Sequence, residues 1–262
     1  MLRAFKYCII PSAVQQQQLV GIFGSCCFTW NLASETCITA GKSLNCFDLS
    51  AQMKELKHTD APWLKDCPAQ ALQMTLRNQD NVYTAFFKGG GFPKFKFKHG
   101  KQSFQLPQGV KVDWEGGRVF LPKLKWVDCV FSRTFEGDIK TVTVSKSITG
   151  KYFVSLLVDN GKDLPKKKPI DPGRAVGIDL GIKDFAITSE GEIFPNYRFL
   201  SSTLKRLRVE QRSLPRKVKG SNSRAKQKQV VDKLHEKITN PAQGFPPQSI
   251  DCRAAPRDSQ TV

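Results

Sequence analysis

Asp179 is the residue whose surroundings most invite chemistry. It ends the apolar run Ala175–Asp179 and lies between Gly177 and Gly181. A strand that hands one carboxylate to a rim is a common way to present a divalent metal to a phosphodiester, because hard cations take oxygen ligands. An Asp between glycines is more often a turn or cap residue, and spacing alone leaves both readings open. A second stretch with chemical character is 88–101. There Lys88, Lys94, Lys96, Lys98 and Lys101 interleave with Phe92, Phe95 and Phe97, without an acid. Lysines neutralise phosphates and exposed phenylalanines stack on unpaired bases. The alternation of a strand predicts Phe95 and Phe97 mostly in a core, with Lys94, Lys96 and Lys98 mostly facing phosphate. A third stretch, Arg198 to Lys237, carries 13 Lys and Arg against Glu210, Asp232 and Glu236. Its candidate phosphate contacts are Lys205, Arg206, Arg208, Arg212, Arg216, Lys217, Lys219, Arg224, Lys226 and Lys228. A merely solvated basic face is the plainer reading, and the charge density favours phosphate contact.

The elements that must position these groups follow from pattern. Around Asp179 we read a meander of strands, 174–180, 183–189 and 191–195, turning at Glu190-Gly191, with the first strand buried and central. Asp184, Glu190 and Glu192 are not read as metal ligands. The basic stretch reads as two helices, about 199–215 and 221–238, broken at Pro215 and Gly220. Upstream, Leu2–Ile10 reads as a strand. Ser12 and Gln15 fit a capping box that opens a helix running to about Ala40, with a break at Gly21. Asp48 is the expected cap of a helix over 49–57, and 70–87 is a third helix. Strands are expected at 103–106, 109–114, 117–122, 125–132, 138–147 and 151–158, with turns at Gly116-Gly117 and Thr149-Gly150. With the first strand they predict a small β-barrel, whose surface Lys111, Lys123, Lys125, Arg133, Lys140, Lys146 and Lys151 would line. Prolines and a lysine run make 161–173 a linker.

Composition narrows the partners. The 262 residues hold 41 Lys and Arg against 23 Asp and Glu, a net charge of +18. A polyanion, nucleic acid first, is the expected partner, with no membrane and no small-molecule substrate. The eight cysteines show no CxxC spacing and no His-linked ligand pattern, so no zinc site is read. Scattered cysteines and no secretory signal point to reduced thiols in a cytoplasm. No run approaches the ~20 apolar residues of a membrane helix.

The stretch GIDLGIKDFAITSEGE, then PNYRFL and LKRLRVEQRSLPRKVKGSNSRAKQKQVVDKLHEKI, resembles the first RuvC-type motif and following helices of the TnpB (OrfB) family. These are transposon-encoded proteins related to the type V CRISPR effectors. LRAFKYCIIPS, FGSCCFTWN, PWLKDCPAQALQMTLRNQDNVYTAFFKG, FPKFKFKHGKQSFQLPQGVKV and IKTVTVSKSITGKYFVSLLV resemble that family too, in family order, so the resemblance runs from Leu2 to about Asn240. It implies an RNA-guided, Mg²⁺-dependent DNA nuclease with Asp179 as a metal ligand. It also implies an α+β, multi-domain architecture. Residues 1–11 give the first strand of a wedge β-barrel, 12–88 a helical, helix-turn-helix-like recognition insertion, and 89–160 the rest of the barrel. Residues 174–240 form a partial RuvC (RNase H-like) α/β domain. The wedge would grip the guide RNA scaffold and the basic helices would lie against the guide–target duplex.

The resemblance stops at Asn240. The later glutamate, the CxxC…CxxC zinc module and the final aspartate of the family do not follow. Two-metal hydrolysis needs several carboxylates around ions ~3.5–4 Å apart, which Asp179 alone cannot supply. We therefore expect a C-terminally truncated transposase-family protein. It would bind transposon-derived guide RNA and DNA in transposition, keep Asp179 as a vestigial ligand position, and bind Mg²⁺ unproductively. A non-catalytic RNA- or DNA-binding remnant, or a decayed reading frame, is the alternative. Residues 241–262 are expected to be a disordered, frameshifted tail, and 1–160 to fold better than 174–240.

Overall fold

Leu2–Ile10 forms the strand β1, and the larger unit is built around it. Every second residue towards its end turns inward, so Tyr7 and Ile9 are buried while Ile10 lies outside. The structure, a computed structural model, describes residues 1–98, 100–163, 175–196 and 199–239. The chain divides into two units, Met1–Leu164 and Pro165–Val262. Expectations for 164–173 and for the tail at 241–262 fall outside the described residues.

In the first unit β1 is joined by β2 (Gln102–Leu106), β3 (Lys111–Asp113), β4 (Arg118–Leu121), β5 (Lys125–Val130), β6 (Asp138–Lys146) and β7 (Tyr152–Asp159). They form one seven-stranded antiparallel sheet in the order β2-β6-β7-β1-β5-β4-β3. Its centre is the long pairing of β1 with β7, in which Phe5 faces Leu156 and Tyr7 faces Val154. Gly117 (φ +60°) and Gly150 (φ +87°) sit at the two expected hairpin turns. The expected barrel is corrected: β2 and β3 are the two ends of an open sheet and do not pair. The apolar face that a barrel would close upon itself is covered by helices instead. Phe23 of the first helix meets Phe104 of β2 with ring centroids 5.4 Å apart.

That helix, α1 (Ala13–Thr39), starts at the capping box. Ser12 Oγ accepts from the Gln15 amide, and the Gln15 side chain accepts from the Ser12 amide. No break occurs at Gly21. The buried set Leu19, Ile22, Phe23, Cys26, Trp30, Ala33 and Cys37 continues across it, and packing outweighs the modest helix cost of one glycine. α2 (Cys46–Leu56) is capped by Asn45, not Asp48: Asn45 Oδ1 accepts from the amides of Phe47 and Asp48, both at 2.9 Å. Asp48 lies in the first turn, where its charge suits the helix dipole. A 3₁₀ turn at Pro62–Lys65 buries Leu64, and α3 (Ala69–Phe87) packs on α1 and β2. Gln79 of α3 is wholly buried and donates to Ser34 Oγ of α1 at 3.2 Å. The seven cysteines among the described residues are free thiols, four of them buried.

The second unit holds the meander β8 (Ile178–Asp179), β9 (Asp184–Thr188) and β10 (Ile193–Pro195), in the order β10-β9-β8. Gly191 makes the β9–β10 turn at φ +86° and donates to the Thr188 carbonyl. Two helices follow, α4 (Phe199–Ser213) and α5 (Asn222–Thr239), paired through buried Leu207, Val231 and Leu234. Among the described residues no helix is long and apolar enough to cross a membrane.

Candidate nucleic-acid interface

Asp179 stands in the open. Among the described residues β8 is a two-residue edge strand paired with β9, where Asp179 faces Ile187. The expectation of a buried central strand is therefore corrected. The apolar side chains beside Asp179 are largely exposed, Ile178 at 63% and Leu180 at 71%. The base of the strand is held by Gly177, whose amide donates to Ser189 Oγ and whose carbonyl accepts from the Ser189 amide. Asp184 faces Pro195 of β10, and Glu190 and Glu192 belong to the exposed β9–β10 turn. Among the described residues no group of three or more His, Cys, Asp or Glu could hold a metal ion. Mg²⁺ binds six oxygens, so Asp179 fits as one ligand and does not make a site by itself.

The basic and aromatic stretch is built differently from a strand. Residues 88–98 form no ladder, and their backbone is bonded by side chains of α1. Trp30 Nε1 donates to the Lys94 carbonyl at 3.0 Å. Asn31 closes both bonds with Lys96: its Oδ1 accepts from the Lys96 amide at 2.7 Å and its Nδ2 donates to the Lys96 carbonyl at 2.9 Å. Asn31 thus stands where a neighbouring strand would. Gly90 permits the turn out of α3, since a Cβ there would sit 2.8 Å from the Ala85 carbonyl oxygen.

Freed from a ladder, the side chains do not alternate as expected. Phe95 is 45% and Phe97 75% exposed, so the core placement of both is corrected. Phe92 is pinned edge-on against Phe86 and Tyr83, with centroids 5.3 and 6.3 Å away. Lys88, Lys94, Lys98 and Lys101 are exposed. Lys96 is exposed as a residue too, and lays its ammonium 3.9 Å from the centre of the Trp30 ring. Trp30 and Asn31 were the missed residues. The available signal was a bulky indole followed by an amide inside an apolar helix, where Asn is a poor choice unless its side chain has a partner.

Burial of its amine holds the Lys96 pKa below the ordinary lysine value, against the opposing pull of the Cys26 and Cys27 thiols. The folded state therefore sheds this proton before the unfolded state does. Stability contributed here rises as pH climbs from the folded pKa to the unfolded one. We expect the Lys96 Cε resonance to titrate below the ordinary lysine range. A midpoint at or above that range contradicts the desolvation of the amine as the dominant influence on it.

On the helical pair the basic residues fall into two groups. Lys205, Arg206, Arg208, Arg212, Arg216, Lys219, Lys226 and Lys228 are exposed. Arg224 and Lys217 are engaged within the turn. One guanidinium nitrogen of Arg224 donates to the carbonyls of Leu214 and Lys217, and Lys217 Nζ donates to Ser223 Oγ. Helical spacing places Lys205, Arg208 and Arg212 on one face of α4, opposite buried Leu207. On α5, Lys233 and Lys237 are exposed and share the face of Lys226, although neither was singled out from sequence. Glu210 is occupied, since its carboxylate accepts from Gln227 Nε2 at 2.6 Å.

The basic residues of the sheet are exposed or lie against a neighbouring side chain. Lys111, Lys123, Lys125 and Lys151 are exposed. Lys140 pairs with Asp138, Lys146 lies over Tyr152 and Arg133 over Phe5.

Comparison with known proteins adds the family. The OrfB_IS605 family model, described as "Probable transposase", matches residues 155–244, and the helix-turn-helix model of the same family matches residues 1–42. In the structure residues 1–42 hold β1 and the continuous helix α1. A protein of Escherichia coli (strain K12) named "Putative RNA-guided DNA endonuclease InsQ" is 36% identical over 246 residues, covering 91% of this chain and 60% of that protein. A "Putative RNA-guided DNA endonuclease" of Streptomyces pristinaespiralis is 31% identical over 247 residues, with the same coverage of both chains. The chain thus spans 60% of the length of each of these relatives.

Proposed function

The chain belongs to the OrfB_IS605 family of transposases, and from that premise we propose that it binds the RNA and DNA of its mobile element without cutting DNA by itself. The observation that carries this reading is the face of α4 and α5, where Lys205, Arg208, Arg212, Lys226, Lys233 and Lys237 are exposed. A surface of this kind releases counterions when it meets a phosphate backbone. The first unit acts in this reading as a wedge-type, RNA-gripping module with 12–88 as its recognition insertion. The second acts as a RuvC-type unit whose meander carries Asp179. Both curated relatives are named RNA-guided endonucleases, which supports the choice of guide RNA and target DNA as partners.

Asp179 keeps the place of a metal ligand in this reading. Mg²⁺, when bound beside a scissile phosphate, supplies Lewis-acid stabilisation of the charge that develops there. Among the described residues Asp179 is an exposed carboxylate on an edge strand without a cluster of further ligands, so no cleavage step is assigned to these residues.

The test is a paired binding and cleavage assay with element RNA, matching duplex DNA and Mg²⁺, on the wild-type chain and on Asp179→Ala. We expect both to bind the RNA equally and neither to cut. Cutting by the wild type alone overturns the non-catalytic half of the proposal. Failure of both to prefer element RNA over unrelated RNA overturns the binding half.

A further inference from the structure

We propose that the loop 88–98 is a stacking platform for unpaired nucleotides. This deepens the nucleic-acid reading above and rests on it. Three observations converge. Phe95 and Phe97 hold their rings out to solvent, and no ring partner is found for either among the described residues. Exposed phenylalanines beside one another forgo burial and mark a contact surface. The loop that carries them is fixed: Lys94 and Lys96 are fastened to Trp30 and Asn31 of α1, and Phe92 is wedged against Phe86 and Tyr83 of α3. Lastly, no acid occurs from Lys88 to Val112, while Lys88, Lys94, Lys98 and Lys101 flank the two rings.

This chemistry selects its ligand. A ring needs an exposed base face, which a duplex hides within its own stack and a single strand presents. The flanking ammonium groups supply backbone neutralisation without reading sequence. A segment with lysines and no acid is a poor match for a protein partner of ordinary mixed charge. The occupant is therefore a single strand, RNA or DNA, contacted through its bases by Phe95 and Phe97 and through its phosphates by Lys94 and Lys98. Trp30 and Asn31 are positioning residues that hold the loop in the shape that presents the rings.

Anisotropy titrations with a short single-stranded RNA, the same sequence as single-stranded DNA, and its duplex DNA test this on the full chain. The variant is Phe95→Ala/Phe97→Ala, with Phe95→Tyr/Phe97→Tyr as the conservative rescue. Because both rings are exposed, the alanine variant retains its helix and sheet signals by circular dichroism. We expect it to lose about tenfold or more in affinity for both single strands, to bind the duplex unchanged, and to be rescued by tyrosine. A base analogue such as 2-aminopurine in the strand changes its fluorescence on the wild-type chain and not on the alanine variant. Unchanged single-strand affinity in the alanine variant overturns the platform and leaves the broader reading standing. An equal loss on the duplex overturns it as well. Absence of binding by the wild-type chain to all three probes overturns the broader reading together with the platform.

Discussion

Replacing Lys205, Arg208 and Arg212 by glutamine lowers the affinity for duplex nucleic acid by about a hundredfold at physiological salt. The same variant makes the plot of log affinity against log salt shallower by about 2 to 3 units. The argument is electrostatic. Each phosphate neutralised by a side chain releases close to one counterion, so three contacts contribute both to the affinity and to its salt slope. The three residues are exposed, lie one helical face apart from buried Leu207, and have room to meet a backbone. Glutamine keeps helix propensity close to that of lysine and arginine, so α4 persists and the loss is of charge alone. Arg224→Gln is the internal contrast. Its guanidinium holds the carbonyls of Leu214 and Lys217, so this change loosens the α4–α5 turn and leaves the salt slope nearly unaltered. Isothermal or anisotropy titration over a salt series measures both numbers. A slope unmoved by the triple substitution removes α4 from the interface.

Local patterns carried much of this structure. The strand Leu2–Ile10, the Ser12–Gln15 capping box, the strands β2 to β7 and the two basic helices all rest on short-range signals: alternation, a cap pair, and Pro and Gly punctuation. What depended on neighbours was not legible. An alternating sheet reads the same whether it closes on itself or is covered by α1 and α3, so the barrel was a natural error. Asn45 and Asp48 are both good caps three residues apart, and their competition is settled by which one the backbone leaves non-helical. Residues 94–98 alternate as perfectly as a strand, yet side chains of α1 take their backbone bonds and no ladder forms. The apolar run ending in Asp179 carries the composition of a buried strand, yet among the described residues β8 pairs on one side only. Asp179 itself, and the exposed lysines and arginines of α4, were visible as residue types. Lys233 and Lys237 emerged only once the helix face was known.

We expect the two units to differ in stability by enough to be read directly by hydrogen exchange. We expect amides of β1, β6 and β7 to exchange about a thousandfold or more slowly than those of α4 and α5. The first unit buries Leu19, Leu64, Leu106, Leu121, Val144, Val154 and Leu156 completely, and its central strands pair over their length. Cooperative domains of this size are stable by about 5–15 kcal/mol, which sets the exchange of their core amides. The described core of the helical pair is Leu207, Val231 and Leu234, with Val230 and Ile238 against it. At about 1.5–3 kcal/mol per buried side chain, three such residues recover only a small part of the conformational entropy of ordering two helices, so the pair rests largely on its own backbone hydrogen bonds and is marginal. Opening of α4 and α5 is then a local event, costing far less than opening the sheet. Binding reverses the contrast: a ligand that holds only the ordered helices shifts their equilibrium by mass action, so saturating RNA slows exchange in α4 and α5 and leaves β7 nearly unchanged. Protection in free α5 equal to that in β7 contradicts the estimate of a marginal pair. Protection in α4 and α5 that RNA does not raise detaches these helices from the nucleic acid.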